Sequence, residues 1–351
     1  MHVAALYRNA VPAAFAVLCL LASWASGLPW DFLAAELVVR LARNSLLVLS
    51  LIIPVVAGLG LNFGIVLGAM AAQIGLISVV HFGTAGIPGL LLSAVISTPL
   101  AALLGYAASL VLNRAKGREM ITAMMLGFFM DGVYQLALLF GAGSIIPVRN
   151  PDIILESGVG VRNTIDLKTL AGSLDRLIWF RVGPVDVPVA NLAVAALVAT
   201  AIVTLSRTKL GQDMRAVGQD IQVARMAGIR VDRVRVIAIM ISTVLACWGQ
   251  LVFLQNIGTL NTYFSHDQVG QFAIASLLVG GASVARATWA NAIAGTILFH
   301  ALFVVSPIAG QRLLASPQVG EFFRVFVAYG IIAGALAVNA WQTKDVRKQA
   351  A

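Results

Sequence analysis

The chain has 351 residues, of which 60% are hydrophobic and only 11% are charged. Soluble globular proteins carry about 25% charged residues, so this composition excludes a soluble fold and requires lipid as the solvent for much of the chain. The formal net charge of +9 comes from short basic clusters between apolar stretches. That pattern is typical of the loops of membrane proteins and argues against nucleic-acid binding.

Apolar stretches of about 20 residues predict membrane-spanning helices. We predict ten, and therefore an all-α, polytopic transmembrane helical bundle whose first helix is retained rather than cleaved as a signal peptide. The second and third helices run together through Gly58, Gly60, Asn62 and Gly64, where we expect a broken or re-entrant element. The predicted spans are residues 10–28, 44–60, 62–82, 87–112, 119–141, 189–206, 235–257, 269–284, 288–305 and 321–341.

Lys and Arg predict the orientation of the chain, because basic residues in short loops favour the cytoplasmic side. We therefore predict that both termini are cytoplasmic, that residues 207–235 form a cytoplasmic loop and that residues 142–188 form a long periplasmic loop. Arg40 and Arg43 run against this pattern and leave the first turn open. The basic clusters lie at Arg8, residues 113–118 and 207–235, Arg286, Lys344, Arg347 and Lys348.

The loop 207–235 separates two membrane helices and has mixed polar character. Apolar residues recur in it at spacings of three and four, for example at Met214, Val217 and Ile221. This pattern predicts a pair of short amphipathic helices outside the membrane. Such helices can lie on lipid or dock into a groove of a partner protein, and the pattern alone leaves both open.

The same loop resembles a known family of permeases. Its motifs are similar to those of the membrane subunits of bacterial ATP-binding-cassette importers for branched-chain amino acids, ribose-type sugars and nucleosides. The resemblance covers most of residues 44–340. The matching runs are Arg207–Gly211, Arg215–Gly218, Ala224–Ile229, Leu278–Ser283, Leu61–Gly64 and Ile121–Phe129.

The resemblance implies that residues 1–351 form a single transmembrane permease domain of the type II importer kind in the bacterial inner membrane, surrounded by lipid. It implies a second permease subunit, identical or related, and a periplasmic or lipid-anchored solute-binding protein. Two cytoplasmic ATP-binding subunits would bind ATP and Mg and dock on a coupling helix in the loop 207–235. The chain itself would then be no enzyme and hold no cofactor, which agrees with the lack of a P-loop motif in its sequence. The docking residues implied are Gly211, Asp213, Arg215, Ala216, Val217, Gly218, Ala224, Arg225 and Gly228.

Polar side chains inside predicted spans are candidates for the translocation pathway. Asp131 stands 12 residues into the fifth span, or about 18 Å from its start. A carboxylate near the middle of a bilayer costs on the order of 2.5–3.5 kcal/mol. Tyr134 and Gln135 share its helix face. The predicted pathway residues are Asn62, Gly64, Asp131, Tyr134, Gln135, Gln250 and Asn256.

Each of these polar groups also has a purely structural interpretation. Asp131 could bond a neighbouring helix, for example at Asn62, Gln73 or Asn291, and Gln250, Asn256 and His300 could join helices to one another. The four histidines are scattered along the sequence, so we predict no metal site.

The sequence therefore predicts an importer permease for a small polar solute, with a nucleoside or simple sugar preferred. Aromatic residues near the expected pathway, such as Phe128, Phe129 and Phe253, would suit a flat ring. A permease for branched-chain amino acids is the alternative within the family. Outside it, an ion-coupled secondary transporter would favour several charges at the membrane midplane, and a membrane enzyme would need clustered His, Asp or Glu.

Overall fold

The computed structural model describes residues 2–148 and 150–349, with side chains described for residues 11–148 and 150–334. The side chains of Arg8, Lys344, Arg347 and Lys348, which contributed to the orientation prediction, lie outside that part. The helices are α1 His2–Ser26, α2 Trp30–Ser50, α3 Ile52–Val56, α4 Ile65–Phe82, α5 Gly86–Arg114, α6 Glu119–Leu136, α7 Val189–Arg207, α8 Lys209–Gln219, α9 Ile221–Met226, α10 Val231–Ile257, α11 Ser265–Val279, α12 Trp289–Leu314 and α13 Pro317–Gln349.

The described residues confirm a polytopic helical bundle. Seven helical segments in this part of the chain are long and apolar enough to cross a membrane. The other three predicted spans correspond to α1, α11 and α13. The apolar part of α1 is Val11–Ser26, and α11 has 15 residues. Both are shorter than a membrane span, which needs about 20 residues. The predicted number of ten spans is therefore not confirmed.

The second helix begins much earlier than predicted. It starts at Trp30 rather than at residue 44, so Arg40 and Arg43 lie inside α2 and not in a loop. Helical pairing accommodates the Arg40 charge, because Arg40 Nε lies 3.2 Å from a Glu36 carboxylate oxygen one turn earlier. Arg40 and Arg43 therefore lie within a helix and not in the short loop to which the orientation prediction assigned them, and the orientation stays a prediction.

The expected interruption between the second and third predicted helices is present. After α3, residues 57–64 leave the helical conformation, and α4 begins at Ile65. Gly58 and Gly60 have φ angles of +72° and +73°, a region that residues with a Cβ rarely adopt. We call residues 57–64 the helix break.

Helix α10 lies at the centre of the bundle against α2, α4 and α5. Glycines allow these helices to approach closely. A Cβ added at Gly68 of α4 would lie 2.3 Å from the Thr243 carbonyl oxygen of α10, and one at Gly249 would lie 2.7 Å from Leu47 Cγ of α2. The centre of the bundle is therefore tightly packed.

A buried ion pair joins α10 to α6. The Arg235 side chain is 1% exposed and donates to Glu119 Oε1 at 2.6 Å. Removing one partner of such a pair leaves an uncompensated buried charge, which costs about 3–5 kcal/mol. The pair fixes the start of α6, the helix that carries Asp131.

Within residues 2–148 and 150–349, four short strands depart from the all-α prediction, and all of them lie outside the long apolar helices. They are β1 Thr164–Asp166, β2 Trp179–Val182, β3 Val185–Pro188 and β4 Thr259–Asn261. Strand β1 pairs antiparallel with β4, just after α10, so backbone hydrogen bonds connect the 142–188 loop to the end of the central helix.

Strands β2 and β3 form an exposed hairpin. Hydrogen bonds from the Arg181 guanidinium hold the pKa of the Asp186 carboxyl in this hairpin below its usual range.

Candidate functional site

A cluster of polar side chains connects α4, α6 and the first turn of α11. Asp131 Oδ1 lies 2.8 Å from His266 Nε2, and Asp131 Oδ2 accepts from Gln135 at 2.9 Å. On α4, the Gln73 amide lies 2.6 Å from the Tyr134 hydroxyl and 3.2 Å from His266 Nδ1. We call Gln73, Asp131, Tyr134, Gln135, His266 and the adjacent Asp267 the central polar cluster.

The geometry assigns the proton of the His266 imidazole. With the Gln73 amide nitrogen facing Tyr134 and His266 Nδ1, the nitrogen donates to both, and the amide oxygen accepts from the His266 backbone N–H at 3.2 Å. Since Nδ1 then accepts, the neutral ring carries its proton on Nε2 and donates it to Asp131. Gln73 and His266 are both 0% exposed, so this chain of hydrogen bonds runs through the interior of the bundle.

One side of the cluster faces a cavity of about 240 Å³ between α4, α6, α11 and α13. Its wall combines aromatic and polar groups, including Phe63, Phe128, Asp267, Gln271 and Tyr329. The Tyr329 hydroxyl donates to Gln271 Oε1 at 2.5 Å. Aromatic faces and hydrogen-bonding groups around one small space suit a ligand with ring faces and hydroxyl edges.

The structure brings three of the predicted pathway residues together, namely Asp131, Tyr134 and Gln135. The other four predicted pathway residues lie outside the central polar cluster. Asn62 donates to Ser242 at 3.3 Å and accepts from the backbone N–H of Gly64, so both residues hold the helix break in place.

Gln250 and Asn256, on α10, also lie outside the cluster. Gln250 is fully buried, and its amide has no partner among the described residues. Asn256 bridges Arg43 and Asp175. A role in the pathway remains a prediction for all seven residues.

His266 and Asp267 were missed as candidates because the predicted span began at residue 269, whereas α11 begins at Ser265. An acidic residue just before an apolar run is a helix-start signal that could have moved this boundary. Gln73 was named only as a structural partner of Asp131, and the structure connects the two through His266.

The structure also bears on metal binding. Asp131, His266 and Asp267 each offer a ligand atom, and these atoms all lie within 4.8 Å of one another. The donor set would suit a divalent transition metal, although Asp131 and His266 here hydrogen-bond each other. The prediction of no metal site remains a prediction, and scattered positions in the sequence are a poor argument for it.

The loop 207–235 forms the two short helices expected of it. Thr208 caps α8 by accepting from Gly211 N at 3.3 Å, and Asp220 Oδ1 caps α9 by accepting from Gln222 N at 2.7 Å and Val223 N at 3.0 Å. Such caps stabilise helices by about 1 kcal/mol each. We call α8 and α9 together the docking loop.

One face of the docking loop is held by the chain itself. Met214, Val217 and Ala224 are buried. A Cβ added at Gly218 would lie 2.2 Å from the carbonyl oxygen of Val56, the last residue of α3, and 3.1 Å from the backbone nitrogen of Gly58 in the helix break. Gly211 approaches Leu205 with similar closeness, so these predicted docking residues contact the bundle.

The opposite face is open. Arg215, Arg225 and Gly228 are exposed, Asp213 and Ala216 are half-buried, and the side chains of Val223 and Met226 are 56% and 80% exposed. Exposed apolar groups on a short rigid helix are typical of a surface that meets a partner. Docking of an ATPase there remains a prediction.

Comparison with known proteins agrees with this architecture. The family described as branched-chain amino acid transport system, permease component, matches residues 33–336. The chain is 26% identical to the autoinducer 2 import system permease protein LsrC of Photorhabdus laumondii over 66% of this chain and 67% of that protein. It is 31% identical to the LsrC protein of Enterobacter sp. over 42% of this chain and 41% of that protein.

A third relative, the LsrC protein of Photorhabdus luminescens, is 27% identical over 56% of each chain. The chain thus spans between about two fifths and two thirds of the length of these relatives. No solved structure matches it. The family match covers most of the chain and confirms the resemblance seen in the 207–229 motifs: the chain belongs to the permease-component family of branched-chain amino acid transport systems.

Proposed function

We propose that this chain is the membrane-spanning permease subunit of an ATP-binding-cassette importer. Two copies, or this chain and a related one, would form the pathway, and two separate ATPases would dock on α8 and α9 from the cytoplasm. The observation that carries the proposal is the docking loop, a capped helix pair with one face packed on the helix break and the other exposed. Movement of a partner bound to the exposed face would pass directly to the break and to α4.

The proposed solute is a small, polar, sugar-like molecule delivered by a solute-binding protein. The named relatives are import permeases for autoinducer 2, and the family description names branched-chain amino acids. The central polar cluster favours the first kind of ligand, because its amide, hydroxyl and carboxylate groups match the donors and acceptors of hydroxyl-rich solutes. A branched aliphatic side chain offers no donor or acceptor that could exchange with these hydrogen bonds.

Uptake into proteoliposomes tests this proposal. The chain would be reconstituted with its ATPase subunits and its binding protein, and accumulation of labelled ribose, adenosine and leucine would be measured with and without ATP. We expect ATP-dependent uptake of a sugar or nucleoside that exceeds leucine uptake at least tenfold. Leucine as the preferred solute would contradict the proposed substrate class, and uptake without the ATPase would contradict the proposed mechanism.

One observation favours a second candidate function, a proton-coupled secondary transporter. Asp131 and His266 form a hydrogen-bonded pair inside the bundle, and such pairs serve as proton relays in ion-driven transporters. The same vesicles separate the two functions. A proton-coupled transporter would respond to an imposed pH gradient and stop with a protonophore, whereas the importer would follow ATP alone.

A further inference from the structure

A second cavity lies apart from the central polar cluster, at the end of the bundle that carries the 142–188 loop. Its volume is about 250 Å³, and α2, α10, α11 and α12 enclose it together with β4. Residues on α11 separate the two cavities, since Gln268 and Phe272 face this one and Asp267 and Gln271 face the other.

The wall of this cavity is cationic. Arg40 and Arg43 both line it, one turn apart on α2. Arg40 has a carboxylate partner in Glu36 at 3.2 Å. Arg43 has no carboxylate within 4 Å among the described residues. Its only hydrogen bond there is from Nη1 to Asn256 Oδ1 at 3.0 Å, and Asn256 in turn donates to Asp175. Asp175 thus reaches Arg43 through a neutral amide.

Buried polar atoms around Arg43 also lack partners. Arg43 Nε and His300 Nδ1 are buried without a hydrogen-bond partner in the described part of the chain, and His300 is 6% exposed and lines the cavity. Native interiors rarely leave such groups unpaired. A cation that is half-withdrawn from water, without an ion pair and beside an open cavity, is the arrangement expected where an anion binds.

Part of the remaining wall is aromatic. Phe253, Phe272 and Phe303 line the cavity, and the Arg43 guanidinium lies 5.6 Å from the Phe253 ring centroid. This contact orients the planar guanidinium, and an oriented guanidinium presents parallel N–H donors that match the oxygens of phosphate and carboxylate groups.

We propose that this cavity binds an oxyanion, a phosphate or carboxylate group held by Arg43 and Arg40, with His300 at the back of the site. The group belongs either to a small soluble molecule or to the headgroup of an anionic phospholipid. The site is independent of the proposed transport function, because binding needs neither the ATPase nor the central polar cluster.

Thermal unfolding of the full chain in lipid nanodiscs, followed by tryptophan fluorescence, tests the site. One arm titrates inorganic phosphate against chloride at equal ionic strength in phosphatidylcholine discs. The other compares those discs with discs that contain phosphatidylglycerol. Stabilisation by phosphate identifies a soluble oxyanion, and stabilisation by phosphatidylglycerol alone identifies a headgroup.

The variants that test the site are Arg43→Gln and Arg40→Gln. The matched control is Arg181→Gln on the exposed hairpin, which also removes one positive charge.

For whichever probe stabilises the wild type, we expect Arg43→Gln to lower the binding affinity at least tenfold and Arg40→Gln to lower it about threefold, since charge-assisted hydrogen bonds dominate oxyanion affinity. Arg181→Gln should respond like the wild type. If Arg43→Gln does not fold, Arg40→Gln decides, because the Glu36 carboxylate that it leaves without a partner is 38% exposed and can be solvated. The proposal fails if neither probe stabilises the wild-type chain, or if the Arg40 and Arg43 variants respond as the wild type does.

Discussion

Gly218→Ala is the change that most sharply tests whether the docking loop acts through its contact with the helix break. The added Cβ would lie 2.2 Å from the Val56 carbonyl oxygen, whereas ordinary contact begins at 3.4 Å. Because the opposing atom belongs to backbone, the loop and the break must separate by about 1 Å, and overpacking of this kind costs about 1–3 kcal/mol.

This cost destabilises the state in which the docking loop packs against the helix break. A penalty of about 1–3 kcal/mol lowers the population of that packed state about 5- to 150-fold relative to a state in which the loop has separated from the break. We therefore expect Gly218→Ala to retain ATP hydrolysis but to lose most solute uptake per ATP hydrolysed. The assay measures both quantities in proteoliposomes that contain the ATPase subunits and the binding protein.

Gly132→Ala on α6 is the matched control, because no described atom lies within 4 Å of the Cβ it would add. It should transport at the wild-type rate. Normal uptake per ATP in Gly218→Ala at normal expression would refute the proposed coupling through this contact.

Three further changes test other parts of the account. Asp131→Asn removes the charge from the hydrogen bond to His266, a bond worth about 1.5–3 kcal/mol, and should lower uptake at least fivefold without affecting assembly. Asp220→Ala removes the cap of α9 and should cost about 1 kcal/mol, seen as weaker binding of the ATPase in a pull-down titration. Glu119→Gln leaves the buried Arg235 cation without its partner and should destabilise the chain by about 3–5 kcal/mol, seen as a lower thermal unfolding midpoint in detergent.

Exposed acids provide the controls for these three changes. Asp186→Asn and Glu321→Gln remove surface carboxylates, and surface ion pairs contribute about 0–1 kcal/mol, so both should behave like the wild type. An unchanged uptake rate in Asp131→Asn would assign that residue to structure. Unchanged ATPase affinity in Asp220→Ala, or an unchanged midpoint in Glu119→Gln, would contradict the role given to the cap or to the ion pair.

Much of the bundle follows from local patterns in the sequence. Apolar length located the central parts of the long helices, and the spacing of Met214, Val217 and Ile221 located the two helices of the docking loop. Helix starts were harder to predict. The first turns of α2 contain charged residues, and hydropathy therefore placed the helix start at residue 44, although Arg40 and Glu36 pair one turn apart on the helix.

The candidate site shows where local patterns stop being informative. The spacing of Asp131, Tyr134 and Gln135 put them on one face of α6, which is a local property. Their partners Gln73 and His266 come from α4 and α11, far away in sequence, and only the packing of three helices brings them together. The same holds for Arg43 and Asn256, which are 213 residues apart.

The central claim is that the exposed face of the docking loop meets an ATPase in the cytoplasm. A photo-cross-linker attached at Met226→Cys tests it directly, because Met226 is 80% exposed and both native cysteines, Cys19 and Cys247, are buried. In inside-out membrane vesicles with the intact transporter, the account predicts an adduct between this chain and the ATPase subunit. Absence of that adduct, together with labelling of Met226→Cys from outside intact cells by a membrane-impermeant maleimide, would contradict it.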